Sequence, residues 1–396
     1  MLLNYGRFWG ILFFLILISL CCARDPEKPQ PVYSVVYVER PAGWYEIQEE
    51  LWKKEIDKDP GNAYAWRNYY NAVRYNRFSE TISTPEKQAK LKNIMDDMAK
   101  AIPESYEYNY LRHKTAGSIV DISYLEKAYQ LRPQEPELYS DFSGYYEIAG
   151  DEEKMTEFLT KWYESKDLAP GLLSYNYNVL YSLEKNTILF TNGDNDTYPV
   201  WVLQKVKKIR TDVTILNVSL INVGEEYLER KLKEKDISLS FTELPKYRSQ
   251  EFTGALAKFI AEKYPEVPVY FAVTVYQDYL SAIEENLYLV GLAYKYSQSR
   301  FDNIALIKKN LEKRFRLDYL KNDWYSEDYL ANPVVTKLNL NYIAPLLALA
   351  EHYAASDTQE RAKYWVEIAL QIGEQGGIKN KVEEGLKEKK LTYLVN

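Results

Sequence analysis

Six consecutive residues, Asn192-Gly193-Asp194-Asn195-Asp196-Thr197, concentrate the groups of this chain best suited to hold a ligand. The carboxylates of Asp194 and Asp196 can accept hydrogen bonds from sugar hydroxyls or coordinate a hard cation, and backbone amides at a helix start can hold a polar group. The candidate ligand-binding residues are therefore Asn192, Asp194, Asn195, Asp196 and Thr197. The same residue types also build turns and cap helices, and the leading reading is that Asp196 or Thr197 caps a helix while the others form the turn. Other chemistry finds little support. The 2 histidines, His113 and His352, lie in separate helical segments and have no local partner for a triad or a zinc site. The 2 cysteines, Cys21 and Cys22, are adjacent, so the folded part has no disulfide framework, thiolate metal site or cysteine nucleophile. Gly193 and Gly224 are isolated and form no phosphate-binding fingerprint. No catalytic residue, metal or cofactor is expected.

The turn must be positioned by the elements around it. Ile188-Leu189-Phe190 is short, apolar and β-prone, and the polar turn follows it directly. Pro199 fits the first turn of a helix with Val202, Val206 and Ile209 on its apolar face, and Val213 to Leu220 resumes strand chemistry, giving a βαβ unit. Strands are predicted at 187–191, 213–220 and 267–273, with helices at about 199–210, 223–235 and 251–263. The strands are apolar on both faces, as in a small parallel sheet covered by helices. The turn then lies at the carboxyl end of a strand, where open α/β sheets bind ligands.

Helical segments flank this part. Counted from Pro60 and from Pro133, apolar or aromatic residues recur at offsets six, nine and thirteen: Trp66, Tyr69 and Val73, then Tyr139, Phe142 and Tyr146. These offsets resemble those of tetratricopeptide repeats, with Ala128 at a small-residue position and the prolines about two 34-residue repeats apart plus a short insertion. Leu346, Leu349, Ala350, Tyr353, Ala362 and Ala369 keep a similar spacing near the end. The fold class expected is α/β plus all-α: a small parallel-sheet domain flanked by tetratricopeptide-like helical hairpins. With 37 Tyr and 8 Trp the chain is rich in aromatics, and Tyr106, Tyr108 and Tyr110 could line a carbohydrate or peptide groove, although repeat-core packing accounts for most of them.

At 396 residues the chain has room for two or three domains. Its 50 Lys+Arg are interleaved with 57 Asp+Glu for a net charge of -7, which argues against nucleic acid as a partner. Arg7 precedes an apolar run from Phe8 to Leu20, too short for a comfortable membrane span and laid out like a secretory signal. Cys21-Cys22 directly after it resembles a bacterial lipoprotein signal, with an uncleaved anchor or an ordinary cleaved signal as alternatives. The expected organisation is a signal or lipoprotein anchor at 1–22 with lipid on Cys21 or Cys22, and a tether at 23–44 whose first part, Ala23 to Val32, is rich in proline and charge. A tetratricopeptide-like helical domain at 45–170, an α/β domain at 171–300 and a helical part at 301–396 follow.

The words FTNGDNDTYPVWVLQKVKKIRTDVTILNVSLIN, PVYFAVT, NLYLVGLAYKYS, FDNIALIKKNLEKRFRL and NYIAPLLALAEHY occur in an order and spacing that identify a relative. Over roughly Leu173 to Ile372 the chain resembles the soluble C-terminal region of Bacteroidota membrane proteins of the domain-of-unknown-function family 2723, classed as glycosyltransferase family 117. The resemblance implies the α/β fold and a cell-envelope location, periplasmic or surface-exposed, in the inner or outer membrane. Family members also carry a multi-span membrane region where glycosyl transfer is expected. No apolar stretch beyond the signal approaches ~20 residues here, so the resemblance does not carry a transferase activity with it. The expected function is a non-catalytic, lipid-anchored docking scaffold whose partners are envelope proteins. The alternatives are a glycan-binding or glycan-processing protein that uses the Asp194-Thr197 turn, and a soluble accessory subunit of a membrane glycosyltransferase.

Overall fold

The computed structural model describes residues 28–76, 83–115, 122–245, 247, 251–321, 329–356 and 358–395, in two compact units that divide between Ser165 and Lys166. Cys21, Cys22 and the apolar run before them lie outside the described residues. No helix among the described residues is long and apolar enough to cross a membrane.

The first unit is helical. Its elements are α1 (Ala42–Lys58), α2 (Ala63–Tyr75), α3 (Thr84–Ala101), α4 (Tyr106–Thr115), α5 (Ser123–Leu131), α6 (Glu137–Ala149) and α7 (Glu152–Ser165), with neighbours packed as hairpins. The two proline-anchored copies share a bond as well as a spacing. Trp66 Nε1 donates to the Pro60 carbonyl and Tyr139 Oη donates to the Pro133 carbonyl, each at 2.9 Å. A large aromatic in the first helical turn thus closes the preceding loop in both places. Val73, Phe142, Tyr146 and Ala128 are buried as the pattern requires, whereas Tyr69 is only half-buried and Tyr70 beside it fills the core. The copies also differ in phase: α2 packs chiefly on α1 before it, and α6 on α7 after it.

Tyr106 and Tyr110 do not line an open groove. They are buried and stack at 5.8 Å, and Tyr106 donates to Glu137, which also pairs with Arg67 at 2.6 Å. These groups form an internal polar layer between α2, α4 and α6. The segment expected to be a tether also takes a defined place where it is described, because Gln30 and Val32 are hydrogen-bonded to α1 and α2.

The second unit combines sheet and helices. It begins with α8 (Pro170–Tyr181), β1 (Ile188–Thr191), α9 (Asp194–Lys205), β2 (Thr214–Asn217), α10 (Glu225–Lys233), α11 (Phe252–Lys263), β3 (Val269–Ala272), β4 (Leu287–Leu289) and β5 (Ala293–Tyr296). Then follow α12 (Asn303–Lys309), α13 (Asp318–Lys321), α14 (Asn332–Asn339), α15 (Ile343–Ala355), α16 (Gln359–Gln375) and α17 (Lys379–Glu388). The sheet order is β2-β1-β3-β5-β4. β1 runs parallel to β2 and β3, but β5 is antiparallel to both β3 and β4. The sheet is therefore mixed, which corrects the expectation of a parallel one. Two physical features account for the difference. β1, β2 and β3 are buried at every position, as in a covered parallel core, whereas Leu287–Leu289 is half-exposed and suits an antiparallel edge. The β4–β5 reversal turns at Gly291, whose φ of 141° and close approach to Phe315 leave no room for a side chain.

The helices after residue 301 join the same unit as the sheet. Asn178, fully buried on α8, donates to the Arg316 carbonyl and to Tyr342 and accepts from the Arg316 amide. Asn310 donates to the Ser182 carbonyl. Further on, Leu346, Leu349, Ala350 and Tyr353 of α15 and Ala362 and Ala369 of α16 are all buried where the two helices pack as a hairpin.

Asp212, just before β2, pairs with Arg210 in its own loop and accepts a backbone amide from the segment before β1. Arg210 Nε donates to Asp212 Oδ1 at 2.8 Å, and the Asn186 amide donates to Asp212 Oδ2 at 2.9 Å. The Arg210 bond, followed by the Asn186 amide, holds the Asp212 carboxyl down at about 2, against an ordinary 3.8. The folded chain binds this proton more weakly than the unfolded one. The resulting stabilisation is complete above the unfolded value and is lost as pH falls toward the folded one. Thermal melts between pH 4 and pH 2 are expected to show a steeper loss of stability in the wild type than in Asp212→Asn. Parallel pH profiles would contradict the pairing.

Candidate functional site

The turn after β1 does lie at the carboxyl edge of the sheet, and the strand order sets it beside the loop that leaves β3. Helix α9 starts at Asp194, earlier than the expected start near Pro199, and ends at Lys205. Pro199 consequently sits inside the helix rather than in its first turn. A proline there cannot donate to the carbonyl four residues back, that of Asn195. The vacant acceptor is filled from α8: Asn176 Nδ2 donates to Asn195 O at 2.8 Å. This fully buried amide, which the sequence pattern does not single out, allows the helix to begin at the turn.

Asp196 occupies the third helical position, and its side chain reaches back over the helix start. Oδ1 accepts the Gly193 amide at 2.7 Å and Oδ2 accepts the Asn192 amide at 2.9 Å. The Thr274 hydroxyl, from the loop after β3, donates to the same Oδ2. The cap expected from Asp196 or Thr197 comes from Asp196 alone, whose carboxylate accepts the amide of Gly193 in the N-cap position, a residue with no side chain to return the bond. Burial pushes the Asp196 carboxyl above its ordinary value, against the opposing pull of the Thr274 and amide hydrogen bonds.

Thr197 is buried in a second network. Its hydroxyl lies 2.7 Å from that of Thr191 at the end of β1 and accepts from Asn217 Nδ2, at the end of β2, at 2.9 Å. Asn217 Oδ1 accepts the amides of Ser219 and Leu220. Together the two networks join the carboxyl ends of β1 and β2, the start of α9 and the loop after β3. Of the sequence candidates, Asp196 and Thr197 are brought into this knot, Asp194 is exposed, and Asn192 and Asn195 are half-buried.

This geometry bears on metal chemistry. Asp194 and Asp196 stand two positions apart on a helix, and residues so spaced do not face each other. One is exposed and the other buried with its oxygens on internal donors, so the pair does not converge on a common cation. No cluster of three or more potential His, Cys, Asp or Glu metal ligands occurs among the described residues. His113 is half-buried in α4 and His352 is exposed on α15. The residues that sequence reasoning missed are Asn176, Asn217 and Thr274. Only the first had a local signal, since a proline inside a helix demands an outside donor.

A family model described as TMEM260-associated domain 2 matches residues 173–242, from α8 through α10 and including the turn. A solved structure titled "Structure of Naa15/Naa10 bound to HypK-THB" aligns with 88% of this chain and 56% of that chain, at 16% sequence identity and a TM-score of 0.19. The chain thus spans little more than half the length of that structure. Comparison with curated proteins gives no match. Across the segment that carries the turn, the chain is similar to the TMEM260-associated domain 2 family.

Proposed function

We propose that the chain is a non-catalytic docking scaffold of a cell-envelope complex, held at the membrane by lipid on Cys21 or Cys22. The observation that carries the reading is the closure of the turn: the buried polar groups of Asp196 and Thr197 are satisfied by the protein itself. The helical hairpins support it, because stacked helix pairs present extended surfaces to other proteins. The anchor rests on the apolar run and the position of the two cysteines. The resemblance to the soluble region of the domain-of-unknown-function family 2723 supports the envelope location.

A second reading draws on the match of residues 173–242 to TMEM260-associated domain 2 together with the resemblance to the soluble region of a glycosyltransferase family. In that reading the chain is the soluble accessory subunit of a membrane glycosyltransferase. A glycan-binding role for the turn falls to the residues that are not buried: Asn192, Asp194 and Asn195.

Purification from the native envelope in detergent, for the wild type and for Asp194→Asn, tests these readings. The scaffold reading expects the same envelope proteins with both chains and an unchanged melting temperature. Recovery outside the membrane fraction with no envelope protein alongside would overturn it. Loss of activity in cells by Asp194→Asn, with stability and partners intact, replaces the scaffold with a ligand site. A membrane glycosyltransferase among the partners selects the accessory subunit.

A further inference from the structure

Residues 29–32, Pro-Gln-Pro-Val, lie against α1 and α2 of the helical unit, and four side chains engage both backbone polar groups of Gln30 and of Val32. The Gln30 amide donates to Gln48 Oε1 at 2.6 Å, and Trp52 Nε1 donates to the Gln30 carbonyl at 2.9 Å. The Val32 amide donates to Asn68 Oδ1 at 2.7 Å, and Asn71 Nδ2 donates to the Val32 carbonyl at 2.9 Å. Pro29 and Pro31 have no N–H to satisfy, and each biases the residue before it toward an extended backbone. Gln48 and Trp52 stand one turn apart on α1, Asn68 and Asn71 about one turn apart on α2, and all four are buried. The Asn68 amide is oriented by its own bond to the Tyr64 carbonyl at 2.8 Å. Val32 is buried while Gln30 and Pro31 are exposed, so the contacts read the peptide backbone at alternate residues and one aliphatic side chain.

We propose that this α1–α2 groove is a binding site for extended peptides of the Pro-x-Pro-aliphatic type, occupied in cis by residues 29–32 and opened when such a segment of a partner protein displaces them. Gln48 supplies the second observation: its Nε2 is buried with no hydrogen-bond partner, so the resident segment leaves one donor of the groove unused. A partner segment that offers an acceptor there satisfies the groove more fully, while the resident segment competes through its high local concentration. The groove can be tested whatever complex the chain serves.

The probe is the labelled heptapeptide KPQPVYS, equivalent to residues 28–34, added to the full chain and followed by fluorescence anisotropy. Val32→Asp weakens the resident segment and is expected to bind the peptide saturably, at least ~10-fold more tightly than the wild type. Asn68→Ala in the same background is expected to abolish that binding. A folded Val32→Asp chain that binds no peptide, or binding that survives Asn68→Ala, would overturn the proposal. If Val32→Asp does not fold, hydrogen exchange on the wild type decides. Excess peptide is expected to accelerate exchange of the Gln30 and Val32 amides, and unaltered exchange there would rule the groove out as a peptide site.

Discussion

Replacing Trp66 or Tyr139 with alanine is expected to destabilise the helical unit by about 3–5 kcal/mol in each case, the range for large aromatics removed from a core. The two effects should match because the side chains do the same work. Trp66 is 7% exposed and Tyr139 is 5% exposed, and each donates across six residues to the carbonyl of a loop proline. Tyr139→Phe keeps the ring while removing the donor and should cost nearer ~1 kcal/mol, whereas Trp66→Phe also leaves a cavity where the indole was larger and should fall between that and the alanine variant. Because the chain has two compact units, a single global transition is not assured. The measurement is therefore hydrogen exchange in α1 to α7 under increasing denaturant. Unchanged protection in both alanine variants would show that the shared spacing after Pro60 and Pro133 does not mark equivalent packing.

Asp196→Ala is expected to cost more than loss of an ordinary helix cap. A cap alone contributes about 0.5–2 kcal/mol, but here the Asn192 amide, the Gly193 amide and the Thr274 hydroxyl all lose their acceptor, which raises the expected cost to about 2–5 kcal/mol. Thr274→Val removes one of the three donors, and in the Asp196→Ala background it should cost much less than alone. Additive losses would mean that the hydroxyl and the carboxylate do not act together. The pH dependence has a defined sign. Burial raises the carboxyl of the folded chain above its unfolded value, so the contribution is full below the unfolded value and declines as pH rises through the folded one. Asp196→Asn does not titrate, so its stability deficit relative to the wild type should be largest near pH 4 and shrink toward neutral pH. A deficit that grows over this range would refute the direction of the shift.

Local residue order carried the elements. Apolar runs bounded by turn residues marked β1, β2 and β3, and helical spacing marked the hairpins, because these signals depend on neighbours within one or two turns. The same locality explains what was misread. Pro199 signalled a helix start until Asn176 supplied the outside donor that lets a proline sit further inside. Leu287–Leu289 and Ala293–Tyr296 are too short for periodicity to separate from a loop, and only pairing with β3 makes them strands.

The candidate site divides along the same line. Sequence alone supplied the turn at the end of a strand, the two carboxylates and a capping role for Asp196 or Thr197. Tertiary structure decided which of these groups are open to a ligand, since Thr274 reaches Asp196 from the loop after β3 and Asn217 reaches Thr197 from the end of β2. Composition likewise marked Ala23 to Val32 as an extended tether, yet Gln48, Trp52, Asn68 and Asn71 dock Gln30 and Val32 on the helices. Helix, strand and turn propensities act between neighbours in the chain and are legible there. Whether a polar group faces solvent or a partner is set by hydrogen bonds between segments far apart in sequence, which exist only once the chain has folded.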